Sequence, residues 1–470
     1  MKAATRRQVL AGLLGTALSG AAMAETAPPP DLSTPPPRKP PPRPGRLIAE
    51  AGLGARISYA VLDPAGGLRE GRGADRPVAP ASTLKILTAL YARDRLGKAH
   101  RFVTRVLQSG DMLILAGGGD PTLDSDALAM LAEQVAANSA GKIARLAVWG
   151  GALPEIEEIS PAQADHLSYN PAVSGLMLNF NRVHLGWQAG GSGMSLQARA
   201  RAHSPAAYTV RAAPVGQGPL FAWREEAGRE IWEVNRAALR RAGSRWLPVR
   251  RPLRYAGDVF QTLCRAEGLA LPTPEIIGDL PGNAVEIARI ESPPLDEILG
   301  GMMEYSTNLT AEVVGLHASG APDLIASARD MQQWAEARGI AGLELYDHSG
   351  ISPRSRVTAR AMAELVSGLG QGGALRGLMT QVGLQDTRGR AAPGDLLLTA
   401  KTGTLNFVSN LAGYGRLPGH EEVVFAIYVN DMARRAESEG QELPSGVVTW
   451  TYRAKHLQQR LVDSWVRRYG

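Results

Sequence analysis

The stretch APASTLKILTALY, residues 80–92, constrains the fold more than any other part of the chain. It sets Lys85 three residues after Ser82, and residues three apart share one face of a helix. Leu84, Leu87 and Tyr91 have helical spacing and predict a helix buried against a core. The lysine is thereby carried into apolar surroundings beside a serine hydroxyl. Loss of hydration favours the neutral amine, which suits activation of a serine nucleophile. Taken alone, so short and common a tetrad is better explained by a plain helix cap at Ser82 with a solvated Lys85. The rest of the chain has to decide.

With 470 residues the chain is long enough for two or three domains and a large core. Its net charge is +6, but Lys2, Arg6 and Arg7 belong to the N-terminal stretch 1–24, where there is no acid. What remains is too mild to argue for nucleic acid. The single cysteine, Cys264, excludes an intramolecular disulfide. It lies in DVFQTLCRAEGL, where Val259, Leu263 and Ala266 predict a helix, and reads as a buried, inert thiol.

The stretch 1–24 has a charged start, an apolar segment and the small-residue pattern Ala22-Met23-Ala24, which predicts a secretory signal cut after Ala24. Arg6-Arg7 in TRRQVL resembles a twin-arginine signal, with an ordinary Sec signal as the alternative. No later stretch reaches the roughly 18 apolar residues of a transmembrane helix, so the mature chain is expected to be periplasmic without a membrane span. Ten prolines in residues 28–45 predict an extended linker over 25–45.

Further along, RISYAVLDPAGGLREGRG reads as strand, turn and strand, and RFVTRVLQSGDMLILAGGGDPTL as a hairpin with a glycine-rich end. No G-K-[ST] follows those glycines, so they are not a P-loop. Residues 126–138 read as a helix, 143–149 as a strand and 183–250 as mostly β structure. Ser292 is expected to cap a helix with Pro293 in its first turn. Three strands and a final helix carrying Leu457, Leu461 and Trp465 on one face follow.

Two stretches turn the first tetrad into a set. Ser306-Thr307-Asn308 stands in EYSTNLTAE, at an expected turn between helices, and Lys401-Thr402-Gly403 stands in LLLTAKTGTLNF, in a strand. S-x-x-K, S-x-N and K-T-G, in that order, are the three motifs of penicillin-recognising serine enzymes. The gap from Ser82 to Ser306 is more than twice the gap from Ser306 to Lys401. The long first gap resembles the D-alanyl-D-alanine carboxypeptidase/endopeptidase family of class C low-molecular-mass penicillin-binding proteins, whose catalytic domain is interrupted between the first two motifs. GGGDPTL (117–123), SGLMLNFNRV (174–183), STNLTAE (306–312) and DHSGIS (347–352) also resemble that family. His348 departs from it by standing where glycine is common, and GLQDTRGR is an irregular version of a family stretch.

The resemblance implies an α/β (α+β) transpeptidase/β-lactamase-like domain, an antiparallel sheet flanked by helices. It would be drawn from residues 46–100 and 275–470 and interrupted by mostly β insert domains over 101–274. It implies that Ser82 is the nucleophile, Lys85 the base, and Ser306 with Lys401 the proton relay to the leaving group. Asn308 would hold the substrate backbone and Lys85, and Thr402 and Thr404 the terminal carboxylate. Gly403 would let substrate lie along the strand. Backbone N–H groups of Ser82 and Thr404 would form the oxyanion hole. His348 is expected to be structural, since the family uses lysine as base.

The function expected is that of a periplasmic serine D-Ala-D-Ala carboxypeptidase, also cutting peptide cross-links, with peptidoglycan peptides as substrates and β-lactam antibiotics as inhibitors. A serine β-lactamase-like hydrolase and a non-catalytic cell-envelope binding module are the alternatives. The long insert and the lack of a class A deacylating glutamate motif disfavour the first, and the intact motifs disfavour the second. No cofactor or metal is expected: eight scattered histidines give no H-E-x-x-H spacing.

Overall fold

The computed structural model describes residues 40–63, 65–370 and 373–470. The expected signal peptide and most of the proline-rich linker lie outside the described residues.

A six-stranded, wholly antiparallel sheet forms the middle of the molecule. Its strand order is Thr380–Gln381, Leu397–Leu405, Val408–Arg416, Val423–Asn430, Arg56–Leu62 and Leu68–Arg72. The two ends of the chain therefore meet in its centre, where Ile57 pairs with Val429 and Ala60 with Ala426. All eight residues of Val423–Asn430 are buried. Such a continuous buried run belongs to a strand covered on both faces. One face carries Lys85–Leu96, Leu295–Tyr305, Asn308–Ser319, Leu324–Glu336 and Ala359–Gly368. The other packs against the final helix, Val447–Tyr469, through Leu457, Leu461 and Trp465.

The expected linker ends earlier than residue 45. Pro44 opens a helix, Pro44–Ala51, at the position where a fixed φ and a missing N–H cost nothing. That helix buries Leu47 against the final helix, and the Pro42 carbonyl accepts the Ser464 hydroxyl at 2.8 Å.

Between the helix Lys85–Leu96 and the second motif the chain leaves the central sheet. Five strands, ordered Glu275–Ile276, Arg145–Trp149, Met112–Ala116, Val103–Ser109 and Val285–Glu291, form one sheet. Two three-stranded sheets lie within residues 182–248. The helices Ser125–Asn138 and Pro252–Ala266 share one apolar core with these strands. Because Val285–Glu291 pairs with Val103–Ser109 along nearly its whole length, the insert extends past the expected boundary at 274. Its two crossings are tied together: Phe102 N donates to Ser292 Oγ and Ser292 N to Phe102 O, each at 2.9 Å. That use of the hydroxyl displaces the expected cap. The helix begins at Leu295 after Pro294, and Ser292 joins two chain segments instead.

Candidate active site

Ser82 lies in a tight 3₁₀ turn, Ala81–Leu84, that runs straight into the helix Lys85–Leu96. Ala81 has a φ of +45°, a left-handed conformation that a side chain adopts only under constraint from its surroundings. The constraint comes from both sides. A Cβ on Gly350 would meet the Ala81 carbonyl oxygen at 1.9 Å. A Cβ on Gly403 would lie 3.0 Å from Pro80 O and 3.1 Å from the Ser82 and Thr83 nitrogens. Two positions without side chains thus let a loop and a strand close on the Ser82 turn. The missing side chain of Gly403 makes room for that turn, a use the sequence reading did not include.

The Lys85 amine is fully buried. It has three partners: Asn308 Oδ1 at 2.8 Å, the Ser349 carbonyl at 2.9 Å and Ser82 Oγ at 3.0 Å. Burial, reinforced by the charge of Lys401, lowers its pKa to about 7, while Glu312 and Asp347 oppose the shift. Near neutrality a large share of this amine is unprotonated. A neutral amine has two N–H groups and one lone pair. Asn308 Oδ1 and the Ser349 carbonyl, which only accept, take both N–H groups. The lone pair is left for the Ser82 hydroxyl.

Ser306 stands between the helices Leu295–Tyr305 and Asn308–Ser319 with a left-handed φ of +58°. Its Oγ accepts from Lys401 Nζ at 3.0 Å, and that amine also donates to Thr402 O at 2.9 Å. Burial lowers the Lys401 pKa to about 8. Thr404, Ser82, Ser306 and Asn308 line a cavity of about 670 Å³, while Lys85 and Lys401 are buried beside it. Asn308 joins both parts of the molecule, because its Nδ2 donates to Tyr169 O in the insert at 3.0 Å. Tyr169 and Gln163 of the insert and Arg435 after the sheet complete the outer wall.

Of the residues singled out from sequence, Ser82, Ser306, Asn308 and Thr404 line the cavity, Lys85 and Lys401 are buried beside it, Gly403 packs against the Ser82 turn, and Thr402 does not line the cavity. Sequence reasoning missed what lies beneath them. Glu312 and Asp347, both buried, hold the turn that offers its carbonyl to Lys85. The available signal was an acid at Glu312 in the apolar run LTAEVVGL, one turn after Asn308. His348 is structural, as expected. Its ring is hydrogen-bonded to Ser327 Oγ at 2.7 Å and touches the Met331 sulfur, and burial lowers its pKa to about 3. Cys264 is fully buried, with its thiol pushed up to about 12.

Comparison with known proteins gives the same direction. A D-alanyl-D-alanine carboxypeptidase from an Actinomadura strain is 29% identical over 468 residues, covering 84% of this chain and 83% of its own. A carboxypeptidase from Mycobacterium tuberculosis is 26% identical over 407 residues, covering 77% of this chain and 76% of its own. The crystal structure of penicillin binding protein 4 from Haemophilus influenzae superposes with a TM-score of 0.69 at 18% identity, over 89% of this chain and 99% of that one. The same protein complexed with a β-lactam gives 0.66. These likenesses establish the transpeptidase-type fold. The family model for D-Ala-D-Ala carboxypeptidase 3 matches residues 69–453, a span that contains all three motifs. On that match the chain belongs to the D-Ala-D-Ala carboxypeptidase 3 (S13) family of serine hydrolases.

Proposed function

We propose that Ser82 attacks the carbonyl between two terminal D-alanines and carries the acyl group until water releases it. The observation that supports this best is the Lys85 amine, whose two N–H groups have fixed acceptors and whose third partner is Ser82 Oγ. In this reading Lys85 takes the Ser82 proton as the tetrahedral intermediate forms. The N–H groups of Ser82 and Thr404 stabilise its oxyanion where strand and turn approach around Gly403. Ser306 passes a proton to the leaving amine, and the Lys401 ammonium keeps the Ser306 hydroxyl oriented. Thr402 and Thr404 bind the free carboxylate of the departing D-alanine beside Lys401. Asn308 holds Lys85 and offers its amide to the substrate backbone.

The substrates in this reading are peptidoglycan stem peptides, and cross-linked peptides where the cavity admits them. β-Lactams acylate Ser82 by the same attack. The enzyme works in the periplasm, after removal of a signal peptide at 1–24. Among the described residues no helix is long and apolar enough to cross a membrane. The catalytic domain is drawn from both sides of the insert.

Labelling the protein with a fluorescent penicillin, followed by peptide mass spectrometry, tests this reading together with D-alanine release from a stem pentapeptide. Persistent label on Ser82 and released D-alanine are expected. An unlabelled protein would be a binding module, and rapid loss of label with no D-alanine release would make it a β-lactamase.

A further inference from the structure

We propose that Glu312 is a positioning residue for the base: it holds the 347–349 turn so that the Ser349 carbonyl fixes the direction of the Lys85 amine. The inference rests on the reading of Lys85 as the base of acylation. Glu312 follows Asn308 by four residues on the helix Asn308–Ser319, so both face the same way. Asn308 reaches Lys85 directly. Glu312 reaches it through the backbone of one residue, Ser349: its Oε1 accepts Ser349 N and its Oε2 accepts His348 N, each at 2.9 Å. The carbonyl of Ser349 then accepts Lys85 Nζ at 2.9 Å.

Glu312 is fully buried, and a carboxyl buried in this way is costly unless its oxygens are paired. Here both oxygens accept from consecutive backbone N–H groups. Asp347 secures the other side of the turn, accepting Ser352 N at 2.9 Å and Ser355 Oγ at 2.5 Å. The neighbouring His348 ring is turned away, toward Ser327 and Met331, and Gly315 leaves the space it occupies. So the turn has no freedom to rotate its 349 carbonyl. Without that carbonyl the neutral amine has one N–H unplaced, and nothing keeps its lone pair on Ser82.

The charges facing Lys85 are Lys401 from the motif strand, Glu312 from its helix and Asp347 from the turn. Burial, with Asp347 beside it, pushes the Glu312 carboxyl up to about 8, so near neutrality it acts through its hydrogen bonds rather than its charge. Loosening the turn takes the Ser349 acceptor from the Lys85 ammonium, so Lys85 loses its proton at lower pH, while attack slows at every pH.

The test uses Glu312→Gln and Glu312→Ala in the full-length protein. The second-order rate of acylation by benzylpenicillin is followed from pH 5 to 9 by mass spectrometry of the Ser82 adduct. Rates are taken from the approach to complete labelling of the molecules that react, so a smaller folded fraction does not imitate a slower enzyme. Glu312→Gln keeps the volume and one acceptor. It is expected to lower the plateau rate about tenfold and to move the acidic limb to lower pH. Glu312→Ala is expected to lose about a hundredfold or more. A Glu312→Gln protein with the parent's rate and pH profile would overturn the proposal. So would equal losses in both variants with an unmoved acidic limb, which would make Glu312 a fold element only. If the parent itself is not acylated on Ser82, it is the reading of the site that fails.

Discussion

The two walls of the catalytic cavity are built in opposite ways. The inner wall consists of the Ser82 turn, the start of the Asn308 helix and the motif strand, with both lysines buried behind it. The outer wall is made of the insert segment around Tyr169 and the segment from Met432 to Val448. There Tyr169, Met432, Leu443 and Val448 are exposed, Leu443 at 74%. Across the outer wall Glu442 pairs with Arg245 at 2.9 Å and lies 3.4 Å from His166. Arg245 and His166 are partly covered, but Glu442 is exposed, and an ion pair with an exposed partner contributes little. The contrast separates two tasks. Proton transfer needs amines held in one direction and kept dry; gripping a peptide needs a surface that stays wet until substrate arrives.

If the inner wall alone does the chemistry, its residues should dominate every rate. Replacing Ser82 by Ala has the largest expected effect: penicillin acylation and D-alanine release both fall by roughly a thousandfold or more. Covalent label persisting on another residue, read from digested peptides, would remove Ser82 from its role.

Next comes the pH dependence that the two lysines impose. Lys85 acts as a base only when neutral, so kcat/KM should fall as pH drops through about 7. In its proposed role Lys401 must be charged, to orient Ser306 and to favour the carboxylate beside it, so the rate should fall again as pH rises through about 8. The expected profile is a narrow bell, and a flat rate from pH 6 to 9 would strip both amines of their proposed roles.

Thr404→Val sharpens the comparison at the edge between the walls. It keeps the backbone N–H and removes one hydroxyl bond to a charged acceptor, worth about 1.5–3 kcal/mol. Turnover of a D-Ala-D-Ala acid should drop roughly ten- to a hundredfold. Acylation by an ester without a free carboxylate should drop far less. Equal losses on both would assign Thr404 to the oxyanion hole or the fold. The smallest effect is expected for Arg245→Ala on the outer wall. It should change unfolding free energy by less than about 1 kcal/mol, and benzylpenicillin acylation by less than about twofold. A larger rate loss would mean that the outer wall orients the inner one.

The same contrast explains what could be read from the chain. Ser82, Lys85, Ser306, Asn308 and Lys401 announce themselves because buried polar chemistry demands fixed residue types at fixed spacings. The strands of the central sheet were legible from alternation and long apolar runs, as in EVVFAIYVND. The packing of Gly403 on the Ser82 turn was not legible, since the two lie far apart in the sequence. Nor was the end of the insert: the short run Val285–Glu291 shows only which sheet it joins once Val103–Ser109 lies beside it. Glu312 was visible as an acid in an apolar helix, but its use depends on two N–H groups of a distant turn.

The meeting of the chain's two ends in the central sheet also sets a schedule for biosynthesis. Arg56–Leu62 emerges from the ribosome before the insert, yet its neighbour Val423–Asn430 follows only after the whole insert has been made. The nucleophile turn likewise waits for Gly403 and Lys401. Contacts so distant along the chain close slowly, whereas the insert holds most of its own core and has its partners in hand sooner. A nascent chain therefore carries Ser82 for most of its synthesis without the strand that closes on its turn. On the proposed mechanism, a chain ending before Leu397 would keep the serine and its lysine but be disarmed by truncation far from both.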